Sequence, residues 1–194
     1  MVYDGIKDMI VFEGIDNSGK TTLSKEFLSY IRKGSEEPWH WTKEPDFTTE
    51  EADALNDPSL GIDEYRREEM FLASRLRRQQ FYSSNHCIVD RYLWTGLTYA
   101  NIFSPKVFPF AKELYTGSIF KKPNMYVFVD TPIEVCDERD PSVGIDRLRD
   151  LRQSYLDTMH LIKQPILIVE SSGSIEAASE ALIEKYEQFT KVRF

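Results

Sequence analysis

The chain has few cysteines, no long apolar run and no excess of basic residues. Its two cysteines, Cys87 and Cys136, each fall inside a predicted regular element. They form no disulfide framework and no metal-ligand spacing, so a reducing interior is expected. No stretch is long and apolar enough to span a bilayer, and the N-terminus lacks the apolar centre of a signal peptide. The expected location is therefore the cytoplasm, with no membrane partner. The formal net charge of −8 argues against a general nucleic-acid binder, which carries a basic surplus. There is no internal repeat and no low-complexity segment. At 194 residues the chain suits a single domain, residues 1–194, with a real core.

What is present is an alternation of short apolar runs and longer helical patterns. Residues 9–12, 39–42, 86–89, 125–129 and 166–169 are predicted strands. Residues 21–32 predict a helix with Leu23, Phe27, Leu28 and Ile31 at helical spacing. Residues 62–83 predict one long helix with a core stripe of Ile62, Tyr65, Leu72 and Leu76. A last helix follows Ser174, with Ile175, Ala178, Leu182 and Tyr186 on one face. Helices between buried strands predict an α/β fold, a three-layer α/β/α sandwich around a five-stranded parallel sheet. Ligands of such sheets bind beyond the carboxyl ends of the strands.

The stretch Gly14-Ile15-Asp16-Asn17-Ser18-Gly19-Lys20-Thr21 fits GxxxxGK[ST] and stands between a predicted strand and a predicted helix. This is a phosphate-binding P-loop, and a P-loop NTPase-like fold follows. Backbone N–H groups and the positive end of the helix face the phosphates. Lys20 adds a point charge, and the Thr21 hydroxyl can ligate Mg²⁺. ATP is the expected triphosphate, since no NKxD guanine motif occurs. Asp90-Arg91-Tyr92, at the end of the third strand, puts a cation beside the phosphates, as transfer between two anions requires. Other arginines gather at residues 66–78 and 139–152. Arg66, Arg67 and Arg77 are expected on solvated faces.

These segments carry a family resemblance. Phe12-Glu13-Gly14-Ile15-Asp16-Asn17-Ser18-Gly19-Lys20-Thr21-Thr22 resembles the P-loop of thymidylate kinases. Asp90-Arg91-Tyr92 resembles that family's DRY motif, Thr42-Lys43-Glu44-Pro45 its TREP segment, and Phe71-Leu72-Ala73-Ser74-Arg75 its LFAADR segment. The resemblance implies a nucleoside monophosphate kinase that passes the ATP γ-phosphate to dTMP. Gly14, Asn17, Ser18, Gly19, Lys20, Thr21 and Thr22 would hold ATP, with Glu170 near the adenine. Thr21 and Asp90 would hold Mg²⁺. Asp16 would contact the acceptor's 3′-hydroxyl, and Arg91 would bridge the two sets of phosphates. Lys43 and Thr95 would contact the acceptor, Phe71 would stack on its base and Arg75 would bond the base edge. Tyr99 would sit under the sugar.

Helical spacing places residues 71, 75, 78 and 82 on one face, in keeping with the roles of Phe71 and Arg75. A short lid, residues 138–149, would close Arg139 and Arg147 over the phosphates, with Arg149 in reserve. A homodimer is implied, to which the apolar residues 93–110 could contribute; a place in the core is the other reading of that stretch.

The chain also departs from the family. Asp46-Phe47-Thr48 replaces Gly-Gly-Thr, and Gly96 and Ala100 stand where polar side chains often approach the base. Three alternatives follow: a kinase for another deoxynucleotide; a deoxynucleoside kinase with Glu44 as base; or a nucleotide-binding module without activity.

Overall fold

Five apolar segments lie next to one another, the three central ones almost wholly buried, and the connections between them supply the helices that cover both faces. In a computed structural model, which describes residues 7–193, the strands are β1 (Met9–Glu13), β2 (Trp39–Lys43), β3 (His86–Asp90), β4 (Met125–Asp130) and β5 (Ile166–Glu170). The helices are α1 (Lys20–Gly34), α2 (Thr49–Asn56), α3 (Glu64–Arg77), α4 (Gln79–Ser84) and α5 (Leu93–Phe103). They continue with α6 (Phe108–Thr116), α7 (Ile133–Arg139), α8 (Ile145–Thr158) and α9 (Ile175–Arg193). The sheet is wholly parallel, in the order β2-β3-β1-β4-β5. The absence of a signal peptide was read partly from residues 1–6, which lie outside the described residues.

Alternation along the strands divides the core in two. Met9, Val11, Cys87, Val89, Tyr126 and Phe128 face the layer of α5, α6 and α8. Ile10, Phe12, Ile88, Val127 and Val129 face α1 and α9. Leu23, Phe27, Leu28 and Ile31 are buried as expected, and so are Ala178 and Leu182. Both cysteines are buried and free. Among the described residues no helix is long and apolar enough to cross a membrane.

All five expected strands form, and each runs one residue further than its apolar run. The added residues are Glu13, Lys43, Asp90, Asp130 and Glu170. Each is charged, and each lies at the carboxyl edge of the sheet. Apolar patterning stops there because that edge borders the functional cleft, while the backbone ladder continues one residue more.

The predicted long helix is in fact two, broken at Arg78. No glycine or proline marks the break. The Gln79 side-chain amide donates to the Arg75 carbonyl at 2.9 Å and ties this turn to Lys121, whose backbone N–H donates to Gln79 Oε1 at 2.7 Å. The predicted core stripe is also corrected. Leu72 is buried, but Tyr65 is 57% exposed and Leu76 42%. The buried face of α3 instead carries Glu68, Met70, Leu72, Ser74 and Arg75, because polar groups of this helix line a cavity. Most of residues 93–110 enters the core through Leu93, Trp94, Leu97 and Ala100. Helix α2 was not predicted, although its capping box, Thr48 with Glu51, is readable in the sequence.

Replacing Leu72 by alanine should cost about 2–4 kcal/mol of stability. The same change at Leu76 should cost no more than about 0.5 kcal/mol. Urea denaturation of both variants separates the two positions, and the original stripe would have made them equivalent.

Candidate active site

The P-loop leaves β1 at Gly14, which has φ 150°. A Cβ there would lie 2.7 Å from the Val129 carbonyl oxygen of β4, so only glycine lets the loop turn this close to the sheet. Helix α1 then starts at Lys20 with no side-chain cap, leaving its first N–H groups directed at the loop. Lys20 is buried and donates to the Ile15 carbonyl at 2.9 Å. Burial, aided by the Arg91 charge, pulls its ammonium pKa down to about 7. Thr21 donates its hydroxyl to Asp90 Oδ2, while Asp90 Oδ1 is buried without a partner. A cation ligated by Thr21 and Asp90 would satisfy that orphan oxygen. No group of three His, Cys, Asp or Glu able to hold a metal occurs among the described residues.

Arg91 adopts φ 67°, rare for a residue with a side chain. Its guanidinium ion-pairs with Asp16, and its Nη1 is buried without a hydrogen bond. Tyr99 donates to the other Asp16 oxygen at 3.0 Å. Burial alone would raise the Asp16 carboxyl, but Arg91 and Lys20 outweigh it and hold the group below the ordinary carboxylate range. The Arg91 turn depends on Glu13, a fully buried carboxylate. Glu13 accepts the backbone N–H of Tyr92 at 2.9 Å and of Thr95 at 3.2 Å, and so caps α5, which lacks a local cap. It also accepts the hydroxyls of Thr95 and Tyr155. Burial pushes its pKa up against the opposing effect of these bonds.

Two cavities meet at this point. The smaller, about 330 Å³, runs along the P-loop past Asn17, Gly19, Lys20 and Thr21 to Arg139. The larger, about 940 Å³, opens between α3 and α5 and reaches Phe71, Arg75, Tyr99 and Arg147. Asp16, Lys43 and Arg91 line both. A group transferred from one cavity to the other therefore passes these three side chains.

The structure also sorts the expected residues. Phe71 and Arg75 face the larger cavity, but Arg78 and Tyr82 do not. Arg78 pairs with Asp46 at 2.6 Å, and Tyr82 is buried against Glu44. Thr95 borders the cavity, yet its hydroxyl is committed to Glu13. Thr22 is exposed and lines neither cavity; Ser18 is buried with an unpartnered hydroxyl. Glu170 lies in a separate cleft with Asp130 and Arg152, which form a bidentate pair at 2.9 Å.

The two arginines proposed for one lid take different sides. Arg139 Nη1 donates to the Asn17 carbonyl at 2.8 Å on the P-loop side. Arg147 stacks over Phe103, 5.2 Å from the ring centroid, beside the larger cavity. Arg149 is no reserve: it pairs with Asp146 in solvent. Arg66 and Arg77 are solvated as expected, whereas Arg67 lines the larger cavity. Phe47, in the altered loop, packs edge-on against Phe71 at 5.0 Å and closes one wall.

Sequence reasoning missed Glu13, Glu68 and Tyr115. An acidic residue directly after an apolar run and before the P-loop glycine was the available signal for Glu13. Glu68 precedes Phe71 by three and Arg75 by seven residues, one helical face that could have been followed further back. No local signal identifies Tyr115, which arrives from α6.

Comparison with known proteins gives one consistent result. The family model described as thymidylate kinase matches residues 12–182. A thymidylate kinase of Caenorhabditis elegans is 26% identical over 204 residues, covering 94% of this chain and 91% of that protein. One from Kosmotoga olearia is 24% identical, covering 91% and 94%. The solved thymidylate kinase of Candida albicans superposes with a TM-score of 0.74 at 20% identity, over 95% of this chain and 93% of that one. The likeness to the solved structure extends to the fold.

Two outcomes follow from the geometry. Replacing Glu13 by alanine strands two backbone N–H groups and two hydroxyls, and should destabilise the protein by about 3–5 kcal/mol in denaturant titrations. Lys20, neutral for the most part above pH 7 in the free protein, should be recharged by bound phosphates. Proton uptake on triphosphate binding should therefore be larger at pH 8 than at pH 6. Affinity should weaken as pH rises past 7. Calorimetry in buffers of different ionisation enthalpy measures this uptake, and Lys20→Met should abolish it.

Proposed function

The chain belongs to the thymidylate kinase family, and from that membership we propose that it transfers the γ-phosphate of ATP to dTMP, giving ADP and dTDP. The observation that carries the reading is the junction of the two cavities at Asp16, Lys43 and Arg91. One cavity has the loop and helix terminus of a phosphate site. The other has an aromatic wall at Phe71 and, at about 940 Å³, is large enough for a nucleotide.

The attacking atom is an acceptor phosphate oxygen, already ionised at neutral pH. No general base is needed, and positioning with charge neutralisation supplies the acceleration. The P-loop and Lys20 hold the donor phosphates. Arg91, largely shielded from water and with a buried, unpartnered Nη1, bridges them to the acceptor phosphate. Asp16 and Tyr99 hold Arg91 and the acceptor sugar in register. Arg139 closes the P-loop side and Arg147 the acceptor side of a lid at residues 138–149. Thr21 and Asp90 fit a magnesium ion, which would neutralise charge on the donor phosphate oxygens when bound. Glu170 stands in a cleft beyond β5, which supports a place beside the adenine. The single domain is read across residues 1–194, and the free cysteines support a reducing, cytoplasmic location. Tyr65, Leu76 and Phe110, exposed around one apolar groove, support a homodimer contact on α3 and α6.

The deoxynucleoside kinase alternative loses its base. Glu44 is fully buried, bonded to Tyr82, and lines neither cavity. The inactive-module reading is not favoured either, because Lys20, Asp16 and Arg91 are all assembled at the junction.

An ADP-release assay over nucleosides and nucleoside monophosphates tests the assignment. dTMP should be phosphorylated; turnover of thymidine without turnover of dTMP overturns it. Arg91→Ala should lower kcat on the order of 10²–10³-fold while ATP affinity changes only a few-fold. Equal loss of both would remove Arg91 from the bridging role.

A further inference from the structure

The lining of the larger cavity includes a buried cluster of Arg75, Tyr115 and Glu68. Arg75 is completely buried. Its Nη1 donates to the Tyr115 hydroxyl at 2.7 Å, while its Nε and Nη2 have no partner. The Tyr115 hydroxyl in turn donates to Glu68 Oε1. Because Arg75 occupies the hydroxyl's accepting side, the Tyr115 proton can point only toward Glu68. The relay orients both ends: Arg75 keeps two N–H donors without a partner, Glu68 has one oxygen occupied by Tyr115, and both residues line the cavity.

Tyr115 reaches this place through a gap in α5. A Cβ on Gly96 would lie 2.7 Å from Tyr115 Cζ and 3.1 Å from its hydroxyl oxygen. The ring thus fills the space that a side chain at position 96 would need. Chains with a polar residue there could approach the base from α5. This chain has Gly96 and Ala100, and its polar groups come from α3 and α6 instead.

We propose that Glu68, held by Tyr115, is a specificity-determining residue that accepts the ring N–H of the acceptor base while Arg75 donates to the neighbouring carbonyl. The proposal rests on the monophosphate kinase reading above. A base stacked on Phe71 with its phosphate at Lys43 and Arg91 directs its far edge at this pair. A carbonyl next to an N–H, as in thymine, uracil or guanine, satisfies both groups. Cytosine and adenine present an amino group and an unprotonated ring nitrogen, setting donor against Arg75 and lone pair against Glu68. Leaving buried charged groups so opposed is strongly unfavourable. Arg75 lies 5.6 Å from the Phe71 ring centroid, so stacking platform and edge readers form one unit. Burial raises the Glu68 carboxyl pKa against the lowering effects of Tyr115 and Arg75. Loss of this acceptor on acidification therefore begins at a higher pH than for an ordinary glutamate.

The test combines a change in the protein with a change in the ligand. Glu68→Gln keeps the shape but can turn an NH₂ group toward the base. The kcat/KM ratio of dTMP to dCMP should fall on the order of tenfold or more, through KM for the acceptor, with KM for ATP unchanged. In calorimetric binding, N3-methylation of dTMP should weaken the wild type strongly and the Glu68→Gln variant far less. Equal losses on dTMP and dCMP, or the same N3-methyl penalty in both proteins, would reduce Glu68 to a packing role and overturn the proposal. Should wild type bind dTMP with the expected N3-methyl penalty yet never phosphorylate it, the edge-reading role stands and the kinase reading falls. Absence of dTMP binding overturns both.

Discussion

The structure depends on one buried carboxylate. Glu13 ends the central strand, and its two oxygens hold the start of α5, the Thr95 hydroxyl and Tyr155 of α8. Removing a carboxylate from water costs several kcal/mol, and here two backbone N–H groups and two hydroxyls offset that cost. The bonds have a geometric consequence. They fix the backbone at Tyr92 and Thr95, and so help hold Arg91 in its left-handed turn over the P-loop. Without that anchor α5 would have an uncapped N-terminus, and the Arg91 guanidinium would not be directed at Asp16. The Arg91 cation at the junction of the cavities is thus placed by a carboxyl group that lines neither of them.

The same logic recurs outward from this point. Asp16 holds Arg91 and Tyr99, Asp90 holds Thr21, and Asp130 holds Arg152. Each strand of the sheet ends in a charged residue, and each such end is used to set a neighbouring element or a cavity wall. An acidic chain can therefore handle anions: its cations are concentrated by local pairing at the carboxyl edge of the sheet, where Lys20, Lys43 and Arg91 converge.

The wall of the larger cavity is assembled from elements far apart in the chain. Phe47 packs on Phe71, and the loop that carries it is secured by Asp46 to Arg78 and by the Asp46 N–H to the Ser74 hydroxyl. The small residue at 96 is matched by Tyr115, which fills the space from another helix.

The sequence by itself determined the strands, the P-loop and the Asp90-Arg91 turn, because strand burial, the glycine spacing and the charge at a strand end are all local patterns. It also placed Phe71 and Arg75 together, since one helical face is set by spacing alone. It could not show that the helix carrying them breaks at Arg78, because the break is tied by Gln79 to Lys121, far along the chain. Nor could it show that Glu44 is locked on Tyr82, that Arg139 and Arg147 serve different cavities, or that Tyr115 meets Gly96. Those facts depend on which helices pack against which face of the sheet. The P-loop was legible because its chemistry lies within eight consecutive residues. The opposite end of the cleft was not, because its reading groups come from separate helices and meet only once the core has formed.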